Sequence, residues 1–231
     1  MRTALLGIFY AALLIFVSPY ILFCWLTGRR DPLISLGQWA VRLGCRFLRI
    51  MVEVSGLESV EPLASCIFMA NHMSFLDGPI LASVIPRPVR IILKKQLFRI
   101  PILGLAMSHA GFIAVDRRGA RGGQKSMRKA AGLMRERGYS YLLFPEGTRS
   151  RDGALQPFRR GGFFLALESR TPVVPVTIMG THELMPRGQW YARKGAVRIV
   201  FHAPVPVDNY RQESMEELMD KVRNAIASPG G

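Results

Sequence analysis

The chain has 231 residues, 31 Lys and Arg against 16 Asp and Glu, and a formal net charge of +15. With 49% hydrophobic and 20% charged residues, it is too apolar for a disordered chain and too charged for a bundle of membrane helices. Its length suits one compact domain with a short appendage or two small domains, and three cysteines without a CxxC pair argue against a disulfide scaffold or structural zinc and for a reducing compartment.

Residues 3–28 carry no charge. As a helix this run is roughly 39 Å long, enough to cross a hydrocarbon core of about 30 Å. A secretory signal is the competing reading, but only Arg2 leads the run and no small-x-small cleavage site precedes Arg29 and Arg30. A buried core helix is the third. Pro19 suggests a kink, so a straight span and a hairpin held in one leaflet are both open. Arg29 and Arg30 favour the cytoplasmic side for the chain beyond them. Residues 32–52 read as a basic amphipathic helix. Arg42, Arg46 and Arg49 share one face, and Trp39, Leu43, Phe47, Leu48, Ile50 and Met51 supply the apolar remainder. Such a helix suits a lipid interface or packs on the domain behind it.

Beyond residue 55 short apolar runs alternate with helical stretches. Strands are expected at 65–70, 89–93, 112–115, 141–144, 173–178 and 197–202. Helices are expected near 76–84, 97–108, 124–137, 163–169 and 215–227. The alternation predicts an α/β fold, a largely parallel sheet with flanking helices, preceded by an N-terminal membrane-associated helical segment. Residues 1–54 would form that segment and 55–231 the α/β domain. Charge is concentrated in the middle. Residues 87–170 hold eighteen basic and five acidic side chains, so this segment should attract anions.

In α/β proteins ligands gather at strand ends. The first expected strand runs into Asn71-His72-Met73-Ser74-Phe75-Leu76-Asp77, with Pro79 near the following helix start. His72 is a candidate base, and Asp77 would fix its tautomer while the other ring nitrogen takes a proton. No Ser or Cys stands out as a nucleophile, so direct attack by a substrate hydroxyl is the simplest chemistry. Phe144-Pro145-Glu146-Gly147-Thr148-Arg149-Ser150 follows another strand, and its tight turn would point Glu146 and Arg149 off the sheet. Arg149 offers a fork for phosphate and Glu146 an acceptor for a hydroxyl, although a local ion pair in a turn is an equal reading. Arg117 follows the strand at 112–115 in the same way.

These blocks resemble those of the glycerolipid acyltransferase superfamily. Residues 71–77 resemble its NHxxxxD block, 144–150 its FPEGTRS block, 111–117 its glycine–aromatic–basic block, and 174–178 its VPV-type strand, all in the family's order. The chain is most similar to the bacterial 1-acyl-glycerol-3-phosphate (lysophosphatidic acid) acyltransferases. The resemblance implies His72 as general base and Asp77 as its partner. It implies a glycerol-phosphate site of Arg117, Glu146, Gly147, Thr148 and Arg149, with Lys94 and Arg159 as further cationic members. It also implies acyl transfer from acyl-CoA or acyl-carrier protein to the sn-2 hydroxyl of lysophosphatidic acid, with no resident cofactor and no metal.

Backbone N–H groups at the start of the helix after His72 are expected to stabilise the oxyanion. Membrane lipids are expected partners, at the cytoplasmic membrane with the catalytic domain on the cytoplasmic side. The alternatives are a related acyltransferase for another lysolipid, such as lyso-ornithine lipid, and a basic nucleic-acid module. No nucleic-acid signature accompanies the charge, and nucleic acid is not an expected partner.

Overall fold

The computed structural model describes residues 2–60, 63–115 and 120–228. Runs rich in Val, Ile and Leu form seven strands: β1 (Ile50–Ser55), β2 (Ile67–Ala70), β3 (Val89–Lys94), β4 (Ile113–Val115), β5 (Ser140–Leu143), β6 (Val173–Met179) and β7 (Gly195–Phe201). They join one sheet in the order β1-β7-β6-β2-β5-β3-β4. Every neighbouring pair is parallel except β6 and β7. The fold is thus α/β with a largely parallel sheet, as the alternating pattern predicts.

The sheet has a core on each face, because successive strand side chains point to opposite sides. Phe68, Leu142, Val174 and Val176 pack with Ile80 and Leu81 of α3 (Asp77–Val84). Ile67, Met69, Tyr141 and Val173 face the other way, onto α5 (Ala120–Arg137), α6 (Arg160–Ser169) and α8 (Met215–Ala227). The strands β6, β2 and β5 are therefore buried on both sides.

Ahead of the sheet lie α1 (Arg2–Leu26) and α2 (Asp31–Leu48). They run antiparallel. Leu6 and Tyr10 meet Gly44, and Cys24 packs with Leu33 and Ile34. Gly44 lets the helices close in there, since a Cβ would stand 2.2 Å from the Tyr10 hydroxyl, which donates to Ala40 O at 2.7 Å. The reversal lies between the two helices, not at Pro19, through which α1 is continuous.

The helix expected over 32–52 stops at Leu48. Arg49 takes a left-handed conformation with φ 58°, and its N–H caps the last turn. The β-branched residues after it then pair as β1 with β7 in parallel. Nor do the arginines form one lipid-facing row, for Arg42 donates to Ser83 O at 3.0 Å at the end of α3. Gln38 reaches Ala82 O at 2.8 Å beside it. At the other end of α2, Asp31 pairs with buried Arg90 of β3, whose guanidinium lies 3.4 Å from the Tyr139 ring centre. Two polar anchors thus bind α2 to the α/β domain.

The helix expected near 97–108 is split. A 3-10 segment at Lys95–Arg99 precedes α4 (Leu103–Ala110), because Pro101 cannot continue a hydrogen-bonded turn. The single-turn α7 (Thr181–Leu184) has no counterpart among the expected helices.

Candidate active site

Three adjacent strands deliver the site from their carboxyl ends. From β2 come Asn71 and His72, from β5 the turn 144–150, and from β6 the Gly180-Thr181 step. Asn71 fixes the first of these against the third, donating to Ile178 O at 2.8 Å and accepting from Ile178 N–H at 2.7 Å.

His72 Nδ1 lies 2.9 Å from Asp77 Oδ2, which also accepts the N–H groups of Met73 and Ser74, each at 2.7 Å. The Thr181 hydroxyl donates to Oδ1 at 2.6 Å, and Asp77 itself is fully buried. Four donors converge on one carboxylate. Asp77 can then act only as acceptor, so Nδ1 carries the hydrogen and Nε2 keeps its lone pair for a substrate. The His72 ring also stacks on Phe144, with centroids 4.0 Å apart. The N–H groups of Met73 and Ser74 are thereby engaged by Asp77. The helix-start N–H groups expected to meet the oxyanion lie further on, from Asp77.

Glu146 sits beneath the histidine. One oxygen accepts the His72 N–H at 2.6 Å and the other the Gln156 N–H at 2.8 Å, and the side chain is 3% exposed. Burial pushes its carboxyl up to about 7, with the two N–H groups pulling the other way. Ser150 N–H returns to His72 O at 2.8 Å. The turn 144–150 therefore holds the His72 backbone at both its N–H and its carbonyl.

Arg149 lies over the Phe75 ring at 3.5 Å, and one of its terminal nitrogens is buried without a hydrogen-bond partner among the described residues. Burial, then the nearby Arg187 charge, lowers its affinity for its proton, and only the Asp77 charge opposes this. Arg187 donates to Arg149 O at 3.1 Å. An unpartnered guanidinium nitrogen with a second guanidinium nearby suits an incoming anion.

Gly147 adopts φ 71° and lies under Arg159, where a Cβ would come within 2.7 Å of the arginine Cδ and Nε. Arg159 N–H donates to Pro145 O at 2.8 Å, which sets the start of α6 beside the turn. Lys94, Thr148 and Arg159 line the same cavity as His72 and Arg149. Arg117 lies outside the described residues.

The cavity holds about 1650 Å³. That exceeds the roughly 300–1,000 Å³ of ordinary small-molecule sites. His72, Arg149 and Arg187 are among its polar lining, and Val41 of α2, Ala82 of α3, Met107 of α4 and Phe112 are among its apolar lining. Among the described residues no three His, Cys, Asp or Glu side chains stand together in a way that would hold a metal ion.

Sequence reasoning misses Thr181 and Arg187. Thr181 has no signal beyond the glycine before it. Arg187 sits in an acid-free basic stretch of the sequence, a feature that could draw notice.

The Acyltransferase family profile matches residues 51–179. A chloroplastic 1-acyl-sn-glycerol-3-phosphate acyltransferase of Brassica napus is 37% identical over 76% of this chain and 49% of its own length. A 1-acyl-sn-glycerol-3-phosphate acyltransferase of Chlamydomonas reinhardtii is 35% identical over 82% of this chain and 55% of its own. The chain thus spans about half the length of these relatives. The crystal structure of the 1-acyl-sn-glycerophosphate acyltransferase of Thermotoga maritima is similar over 97% of this chain and 91% of that one, with a TM-score of 0.83 and 25% identity.

Proposed function

The chain belongs to the acyltransferase family, and from that premise we propose that it acylates the sn-2 hydroxyl of 1-acyl-glycerol-3-phosphate, giving phosphatidic acid. The donor is a thioester, acyl-CoA or acyl-carrier protein. One observation carries the reading: the free Nε2 of an Asp77-fixed His72 opens into the same cavity as the unpartnered nitrogen of Arg149. A base and an anion site in one cavity suit an alcohol that carries a phosphate.

His72 Nε2 takes the proton from the acceptor hydroxyl as its oxygen attacks the thioester carbonyl. Asp77 stabilises the imidazolium that forms. Collapse of the tetrahedral intermediate expels the thiolate, which receives that proton from His72, and the base is regenerated. Base catalysis of this kind contributes about 10²–10⁴-fold. No acyl-enzyme forms, so donor and acceptor are bound together, as a cavity of about 1650 Å³ permits.

Arg149 and Arg187 hold the acceptor phosphate, with Lys94, Arg117 and Arg159 as further basic groups around it. Glu146 acts beneath them by holding the His72 backbone. The pair α1 and α2 lies in the cytoplasmic leaflet of the membrane, so that the lysolipid enters from the lipid.

The test offers labelled acyl-CoA and acyl-carrier protein with lysophosphatidic acid, lyso-ornithine lipid and a monoacylglycerol. Lysophosphatidic acid should be preferred. Arg149→Ala should raise its KM by a factor corresponding to about 1.5–3 kcal/mol, the range for a charge-assisted contact, and leave the donor KM nearly unchanged. Equal rates on the phosphate-free acceptor, or an unchanged KM in Arg149→Ala, would refute the assignment.

A further inference from the structure

The segment from Pro186 to Lys194, between α7 and β7, is used by the site only through Arg187. Its remaining side chains are unusual for a surface loop. Trp190 is 67% exposed and Tyr191 38%, their rings set edge to face with centroids 5.8 Å apart. Arg193 and Lys194 are exposed beside them, and no acidic residue occurs between Glu183 and Asp208. An aromatic pair flanked by cations with no counter-charge fits a boundary that is apolar on one side and anionic on the other.

The fold shows which boundary that is. Ala192 N–H donates to the Thr3 hydroxyl at 3.0 Å, so the loop sits against the first turn of α1. Gly195 N–H, at the loop's end, donates to Arg49 O, and Gly195 and Ala196 are in register with Ile50 and Met51. Phe9 and Met51 are themselves exposed large apolar side chains at this end of the helix pair. The loop therefore continues the apolar surface of α1 and adds to it the aromatic and cationic side chains typical of the headgroup region.

We propose that residues 186–194 form a second membrane contact, with Trp190 and Tyr191 at the headgroup–acyl boundary of an anionic phospholipid bilayer and Arg193 and Lys194 on its phosphates. The consequence is orientation. A helix pair lying in the membrane plane can still rock about its long axis, carrying the domain with it. A contact off the axis stops it. The same loop carries Arg187 in the cavity lining, so the angle it fixes also sets how the cavity faces the lipid. The inference rests on α1 and α2 lying in a membrane, and not on the identity of the acceptor.

Fluorescence of the full-length chain with Trp25 and Trp39 replaced by Phe reports Trp190 alone. Vesicles of phosphatidylglycerol and phosphatidylethanolamine should shift its emission to the blue. Lipids brominated near the headgroup end of the acyl chain should quench it more than lipids brominated near the methyl end. In a second measurement, the double variant Trp190→Ala, Tyr191→Ala should still float with vesicles through α1. It should lose activity several-fold on acceptor presented in bilayers, and keep the native rate on a short-chain acceptor in solution.

Emission unchanged by vesicles, with Trp190 fully open to aqueous acrylamide, would overturn the proposal. So would a blue shift caused by acyl-carrier protein and not by vesicles, or an equal loss on the soluble acceptor. If the native chain proved inactive on lysophosphatidic acid, the fluorescence result would still stand or fall by itself.

Discussion

Removing the charge of Asp77 while keeping its shape separates the two things this carboxylate does. In Asp77→Asn the amide oxygen can stay at the Oδ2 position and keep the bonds from His72, Met73 and Ser74, while the amide NH₂ meets the Thr181 hydroxyl, which can turn to accept. Little hydrogen bonding is lost, so the fold should hold to within about 1–2 kcal/mol, the difference between charged and neutral acceptors. Catalysis should fare much worse. A neutral amide does not stabilise the imidazolium, and kcat should fall at least about 10²-fold.

Asp77→Ala should behave in the opposite proportion. It leaves the Ser74 N–H and the Thr181 hydroxyl without their acceptor at residues that are fully buried. At about 1–3 kcal/mol each, the pair costs roughly 2–6 kcal/mol, a large share of an ordinary domain's stability. For a chain of this size that is a fall in Tm on the order of 10 °C. Thermal unfolding followed by circular dichroism, with kcat from labelled donor, measures both. Near-native kcat in Asp77→Asn, or native stability in Asp77→Ala, would refute the reasoning.

His72→Ala should lose about 10²–10⁴-fold in kcat with a near-native Tm, because Glu146 and Ser150 hold that residue through its backbone and not its ring. Gly147→Ala should destabilise by about 1–2 kcal/mol, the cost of a left-handed conformation for a residue with a Cβ, and should raise acceptor KM by displacing Arg159, read from Tm and steady-state kinetics. Glu146 gives a pH dependence of stability. Its carboxyl is raised from 4.5 to about 7 chiefly by burial, so its contribution is fully present below pH 4.5 and is lost as pH rises through about 7. The loss is roughly 3 kcal/mol, and Glu146→Gln should abolish that slope in denaturant titrations run from pH 4.5 to 8.

The parts of the fold that can be read in the sequence are those where one physical signal acts alone. The strands β2, β5 and β6 are buried on both faces, so each appears as a mainly apolar run, broken only by Ser140 and Thr177. His72 and Asp77 lie on a single loop-and-helix start, where spacing fixes geometry. Strand β1 is hidden because its apolar residues extend the amphipathic pattern of α2, and only the left-handed turn at Arg49 separates them. Glu146 reads as facing substrate, since a polar residue in a turn at a strand end usually points outward. What turns it inward is a pair of backbone N–H groups, one from His72 after β2 and one from Gln156 ten residues on in its own loop, and no spacing rule encodes that. Thr181 is 104 residues from Asp77, beyond the reach of any spacing rule.

The first helix poses the same question in three dimensions, and here the geometry favours one of two readings that composition leaves equal. A straight span of 25 residues would set its two ends about 37 Å apart, on opposite sides of the bilayer. In the fold both ends touch the same domain. Thr3 accepts from Ala192 near one end, Cys24 packs with Ala110 near the other, and His109 meets Arg29 O at 3.0 Å just beyond it. For α1 to cross, the α/β domain alongside would have to enter the hydrocarbon with it, bringing exposed charges such as Arg193 and Lys194, each of which costs several kcal/mol there. Lying in one leaflet needs no such burial. For the proposed reaction it would also set the apolar cavity lining on α2, α3 and α4 on the side from which a lysolipid enters.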